Sequence, residues 1–154
     1  IQGIGVTYAT STMGGDHTAG YAIATNILKV GGFVDPLKPE GQVELSRNLQ
    51  IATAALDAAG LCIFVAFAVL DKPEAFEAIY EMINAMYGLN LGPDDVTALG
   101  KDILKIERKY NEAAGFTNAD DRLPRWMYTE PLPPHNTVFS VTDAELDEFY
   151  NFMD

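Results

Sequence analysis

Residues 92–115 read GPDDVTALGKDILKIERKYNEAAG, and their spacing decides the fold class. Pro93 stands at a first helical position, with Asp94 and Asp95 in the first turn, where carboxylates face the positive end of the helix dipole. Val96, Leu99, Ile103, Ile106, Tyr110 and Ala113 then recur in steps of three and four, one face of an amphipathic helix, and Gly115 stops it. Immediately upstream, Phe76, Ile79, Tyr80, Ile83, Met86 and Tyr87 predict a second helical face from Pro73 to Tyr87, closed by Gly88. Further back, a helix begins near Val43 to Arg47. From Ile51 onward its small and apolar residues thicken until it is apolar all round, the pattern of a helix interior to a larger body. Asp57 and Gly60 are the candidate interruptions. Leu61–Leu70 reads as a buried core helix that ends at Asp71 and Pro73.

Outward from this centre the chain is less regular. Ile1–Gly20 is rich in Gly, Thr and Ser, and Thr10–Thr18 has no period. It predicts a loop that leads into a helix capped by Asp16 or Thr18, running to about Val30 and stopped by Gly31-Gly32. Val34–Gly41, with Pro36 and Pro39, is a connector. Phe116–Asn136 carries four prolines and is irregular, and Thr142–Glu145 is a capping box that opens a short acidic helix. No strand pairs with hairpin turns, repeats or low-complexity tracts occur. The expected fold is all-α: one irregular helical domain, residues 1–154, of about five helices joined by long Gly/Pro-containing connectors.

Composition excludes several functions. Ten Lys and Arg stand against twenty-two Asp and Glu, a net charge of −12, which argues against nucleic acid and against anionic membrane surfaces. The run Leu61–Leu70 is half the length a bilayer needs. A single cysteine, Cys62, rules out an internal disulfide and points to a reducing, cytoplasmic setting. The start at Ile1, with no basic n-region, gives no signal peptide and suggests a chain cut from something longer. No P-loop, dinucleotide fingerprint, zincin motif or nucleophile elbow is present.

A few odd placements remain. Asp57 is an acid in a nearly all-apolar stretch, a costly position unless it is paired. It either caps a helix or meets a core arginine, or it accepts hydrogen bonds from a buried ligand such as a guanidine-like ring edge. Gly60 allows close approach of a ligand or backbone. Cys62 is either a small core hydrophobe or a thiolate supplied to a metal shared with another domain. His17, inside a Gly-rich turn, either braces a loop or transfers a proton. His135 is an exposed loop residue. Phe64, Phe67, Phe76, Tyr80, Met82 and Met86 are expected as packing. Asp94-Asp95 and Asp120-Asp121 are expected as caps or a solvated face.

Together these segments resemble the C-terminal region of the tungsten-containing aldehyde:ferredoxin oxidoreductase family. The resemblance rests on Tyr8-Ala9-Thr10-Ser11 with Gly14 to His17, on Asp57-x-x-Gly60-Leu61-Cys62, and on Phe116 to Arg125 followed by Glu130-Pro131-Leu132-Pro133. It implies that the chain is the last helical domain of a longer enzyme that moves electrons from an aldehyde to ferredoxin. That enzyme would hold a tungsten (or molybdenum) bis-pterin and a [4Fe–4S] cluster at a junction with its N-terminal and middle domains. By the same resemblance Cys62 is a cluster ligand, Asp57 a pterin-ring partner, Leu61 a backbone contact beside it and His17 the proton-transfer residue. The isolated chain would be inactive, because one thiolate cannot hold a four-iron cluster. Met13 and Thr18-Ala19 depart from the family's pattern on the substrate side, so a relative acting on another substrate, such as an aromatic thioester, fits as well. The rival class is a non-enzymatic helical module that binds a partner through an exposed apolar face.

Overall fold

In a computed structural model of the chain, which describes residues 1–153, eight α-helices and two short 3-10 turns form the framework. No strand occurs among the described residues; one isolated antiparallel bridge joins Leu132 and Thr137. The helices are α1 (Gln2–Thr10), α2 (Ile23–Asn26), α3 (Gln42–Ala58), α4 (Ala66–Asp71), α5 (Pro73–Tyr87), α6 (Pro93–Ala113), α7 (Trp126–Thr129) and α8 (Asp143–Asp147). The 3-10 turn Ile63–Val65 runs directly into α4. No helix among the described residues is long and apolar enough to cross a membrane.

α5 and α6 follow their sequence signals. Gly88 closes α5 in the left-handed region at φ 66°. At the start of α6, the Asp95 carboxylate accepts the Gly92 N–H at 2.8 Å. The buried stripe of α6 is nevertheless Val96, Gly100, Leu104 and Arg108, one step away from the expected Val96, Leu99, Ile103, Ile106 and Tyr110. Gly100 is why: its missing side chain lets α6 meet α3 at the Ile51 carbonyl, where any Cβ would collide. α3 therefore lies between α6 and α1.

α1 was not expected. Gly3, Gly5 and the threonines have poor helix propensity, so the segment carries no local signal. Tertiary packing overrides this, and nearly every residue of α1 is buried. At Gly5 the Phe139 ring sits so close that a Cβ would stand 2.5 Å from it. Gln2 clamps the C-terminal segment like a strand partner: its Nε2 donates to the Val138 carbonyl at 2.8 Å and its Oε1 accepts the Ser140 N–H at 3.0 Å. Val6, Phe139, Val141, Leu146 and Phe149 complete this core. Each fully buried side chain of that size contributes about 1.5–3 kcal/mol.

Three expectations are corrected. The helix from Asp16 or Thr18 to Val30 shrinks to α2. Asp16 accepts the Thr18 N–H at 2.9 Å in a local turn rather than capping a helix, the Gly20 carbonyl is taken by Thr7 Oγ1, and Lys29 turns left-handed at φ 59°. Leu61–Leu70 is not a buried core helix: α3 stops at Ala58, and none of the residues that follow, through Leu70, is fully buried. Phe64, Met82 and Met86 are exposed rather than packed. Their apolar signal was real, but nothing within this chain covers them.

Asp121 also differs from the expected solvated face. Arg108, only 2% exposed, pairs with Asp121 at 2.9 Å and Glu112 at 3.2 Å, and its guanidinium lies 4.6 Å from the centre of the Tyr150 ring. Tyr150 donates to the Thr10 carbonyl at 2.5 Å, so the network fastens the C-terminus to the end of α1. Asp120 does act as a cap, accepting the Thr117 N–H at 2.7 Å.

Candidate functional site

The Asp57–Cys62 motif occupies the C-terminal turn of α3. The Leu61 N–H donates to the Leu56 carbonyl and the Gly60 N–H to the Asp57 carbonyl, each at 3.0 Å. This bond pair is a Schellman turn. It requires the left-handed φ of 75° that Gly60 adopts, and nothing lies within 4 Å of where a Gly60 Cβ would stand. Beyond the turn Cys62 is extended, at φ −74° and ψ 140°. Its thiol is free and exposed, so it is not a core hydrophobe.

Asp57 is exposed as well. It does not meet a core arginine. Arg108 is held by Asp121 and Glu112, Arg47 donates to the Phe149 and Glu148 carbonyls, and Arg122 pairs with Asp143 and Asp147. Nor does its side chain cap α3, which ends through backbone bonds. Partial burial, reinforced by the negative charges of Asp16 and Glu107, pushes the Asp57 carboxyl above its ordinary pKa. The carboxylate stands where like charges gather.

Asp57 lines a hollow of about 270 Å³ with Gln50 and Thr53 of α3, Asp16 of the Gly-rich loop, and Ile103 and Glu107 of α6. At Asp16, burial opposes ionisation, but the two Thr18 hydrogen bonds and the nearby His17 outweigh it, and its pKa falls. His17 itself is exposed. Its ring lies 5.9 Å from that of Tyr21, Tyr21 lies 6.0 Å from Phe67, and Phe67 stacks on Phe64 at 6.2 Å. This aromatic chain ties the His17 loop to the segment after Cys62. The structure thus brings Asp16 beside Asp57 and links His17 to the Cys62 segment. It does not converge them into a cage: no three metal-ligating side chains gather among the described residues. His135 lies apart and exposed, beside the N-terminal end of α1.

Two residues of this neighbourhood escaped the sequence reading. Gln50 had a usable signal, since Gln50, Thr53, Ala54 and Asp57 stand at i, i+3, i+4 and i+7 on one face of α3. Glu107 had none, because only the crossing of α6 over α3 brings it to the hollow.

These features belong to a helical part of a multidomain oxidoreductase: residues 1–154 match the family model described as aldehyde ferredoxin oxidoreductase, domains 2 and 3. The chain belongs to the aldehyde ferredoxin oxidoreductase family. It is 34% identical over 134 residues to the tungsten-containing aldehyde ferredoxin oxidoreductase of Pyrococcus horikoshii. It is 32% identical over the same length to the protein of that name from Pyrococcus furiosus, and 33% to that from Thermococcus kodakarensis. Each match takes in 86% of this chain and 21% of the relative, so the chain spans about a fifth of the length of these curated relatives.

Proposed function

We propose that the chain is the C-terminal helical part of a tungsten-pterin, iron–sulfur enzyme that oxidises an aldehyde and passes the electrons to ferredoxin. The observation that carries this reading is the turn at Asp57–Cys62, which displays an arginine-free carboxylate and an exposed thiol in a chain that matches the family from end to end. The residues present suit the cofactors. A carboxylate accepts a guanidine-like ring edge through two parallel hydrogen bonds, and the Asp57 carboxylate is engaged by none of the arginines around it. The open left-handed turn at Gly60 leaves room for the ring. Leu61 spends its N–H on Leu56, so its backbone contact with the ring falls to its carbonyl. Cys62 supplies one thiolate of a [4Fe–4S] cluster, and the other three ligands come from elsewhere in the full-length protein.

The net reaction is aldehyde plus water giving carboxylic acid, two protons and two electrons, the electrons reducing two ferredoxins one at a time. Tungsten (or molybdenum) on the pterin supplies the two-electron chemistry when bound, and the protein's part is to bind, orient and exchange protons. His17, exposed on the loop beside Asp16, takes up or releases the proton at the substrate oxygen.

The experiment is elemental analysis of the full-length protein, purified anaerobically from a host that makes the pterin. About four irons per chain and one tungsten or molybdenum are expected. Cys62→Ser lowers the iron and the activity. Wild-type iron in that variant would remove the cluster assignment, and a wild-type protein with neither metal would favour the partner-binding module.

A further inference from the structure

A separate hollow of about 250 Å³ opens between α3, α4, α5 and α6 and shares no lining residue with the one beside Asp57. Ile51 and Leu56 of α3, Ile79 of α5 and Val96 of α6 line it and are 2–6% exposed. The lining residues that reach solvent include all its polar ones: Asn48 and Thr97 are exposed and Lys101 is half-buried. The floor is therefore apolar and the polar groups stand at the rim.

The charge of this hollow runs against that of the chain. Asp16, Asp57 and Glu107 line the other hollow. Here, among the described residues, Lys101 is the one charged side chain in the lining, although the chain has twenty-two Asp and Glu against ten Lys and Arg. Most other cations are engaged: Lys38, Lys72, Arg108 and Arg122 pair with carboxylates, and Arg47 holds two carbonyls. No carboxylate pairs with Lys101 among the described residues. Apolar hollows of about 150 Å³ already take a small hydrocarbon in preference to water, and an ammonium at the rim adds a counter-charge for one anionic group. A phosphate, with about two charges, would be half neutralised by a single lysine in a chain of net charge −12. A carboxylate carries one.

We propose that this hollow binds a monocarboxylate with an apolar tail, the tail against Ile51, Leu56, Ile79 and Val96 and the carboxylate at Lys101. It has room for about eight heavy atoms at about 30 Å³ each, the share of one water molecule in the liquid. The site is built from this chain's own residues and does not rest on the cofactor reading above.

The test is titration calorimetry on the full-length protein with octanoate as the probe, and with 1-octanol and octylamine as controls for the tail alone and for the opposite charge. Octanoate binds once per chain, more tightly than 1-octanol, and octylamine does not displace it. Lys101→Met keeps the length of the side chain and removes its charge. It weakens octanoate about tenfold, the loss expected for one charge-assisted contact, and leaves 1-octanol unchanged. Lys105→Met, one turn further along α6 and outside the lining, changes neither. Val69→Phe fills the hollow from α4, where Val69 is half-buried, and abolishes both, with the fold checked by circular dichroism. If that variant does not fold, the two lysine variants decide. Equal octanoate affinity in wild type and Lys101→Met would overturn the proposal, as would an equal loss in Lys105→Met, the sign of unspecific charge attraction. A full-length protein that binds no octanoate would overturn it too, because another part of the protein then fills the hollow. A full-length protein without metals would leave it standing.

Discussion

At Asp57, fold and site have opposite preferences. Burial, then Asp16 and Glu107, raise its pKa above 3.8. With the folded value above the unfolded one, the folded state holds this proton more tightly. Asp57 therefore contributes stability that is fully present below pH 3.8 and lost as pH rises through the raised value. At neutral pH the ionised carboxylate is a cost, kept small by its exposure. Asp57→Asn in the cofactor-free full-length protein should melt at a slightly higher temperature than wild type at pH 7, with the gap closing as pH approaches 3.8. A lower melting temperature for the variant at neutral pH would mean that the carboxylate has a donor. His17 is exposed, and its neighbour Asp16 is fixed by Thr18. His17→Ala should keep both cofactors and lower kcat by about 10²–10⁴, the range for a lost general acid–base group; an unchanged kcat removes the role.

Among the elements, the contact between α3 and α6 matters most, because two walls of the hollow beside Asp57 belong to it and the loop around Asp16 supplies the rest. The helices touch through Gly100 and the Ile51 carbonyl. Gly100→Ala improves intrinsic helix propensity by about 1 kcal/mol, yet its methyl group must drive the backbones apart, which costs about 1–3 kcal/mol. Urea unfolding of the full-length protein should show lower stability, and retained pterin should fall with it. A stabilised Gly100→Ala would mean that the crossing has slack. The turn at Gly60 matters in another way. By ending α3 it converts an apolar run that could have prolonged the helix into the extended segment that displays Cys62.

At the scale of the molecule, large apolar residues of two helices, α5 and α6, are left open: Met86 is 76% exposed, Ile106 69% and Tyr110 75%. Residues chosen by helical period for a core are here the surface of one. Patches of this kind mark interaction sites, and the relatives are about four times as long as the chain. The isolated 154-residue chain should therefore self-associate, seen by light scattering, and show no aldehyde oxidation. Charged substitutions at Ile106 and Tyr110 should restore the monomer. A monodisperse wild-type fragment would mean that the chain closes its own core. The charge of −12 does not prevent this, since salt screens exposed charges beyond about 8–10 Å.

The sequence alone determined the helical class, the bounds of α5 and α6, the capping box at Thr142 and the turn motif Asp57–Cys62, because caps, glycine stops and the period of 3.6 residues are local physics. It also determined the family, since Asp57-x-x-Gly60-Leu61-Cys62 lies within the residues that the family model matches. Tertiary structure decided what no local pattern encodes. α1 forms because Phe139, Gln42 and Ser46 close around its glycines and threonines. The buried face of α6 is chosen by a glycine against a carbonyl rather than by its leucines and isoleucines. Arg108 is buried because Asp121 and Glu112 come to it. Glu107 reaches Asp57 through a helix crossing, and which apolar stripe faces inward depends on what else there is to cover it.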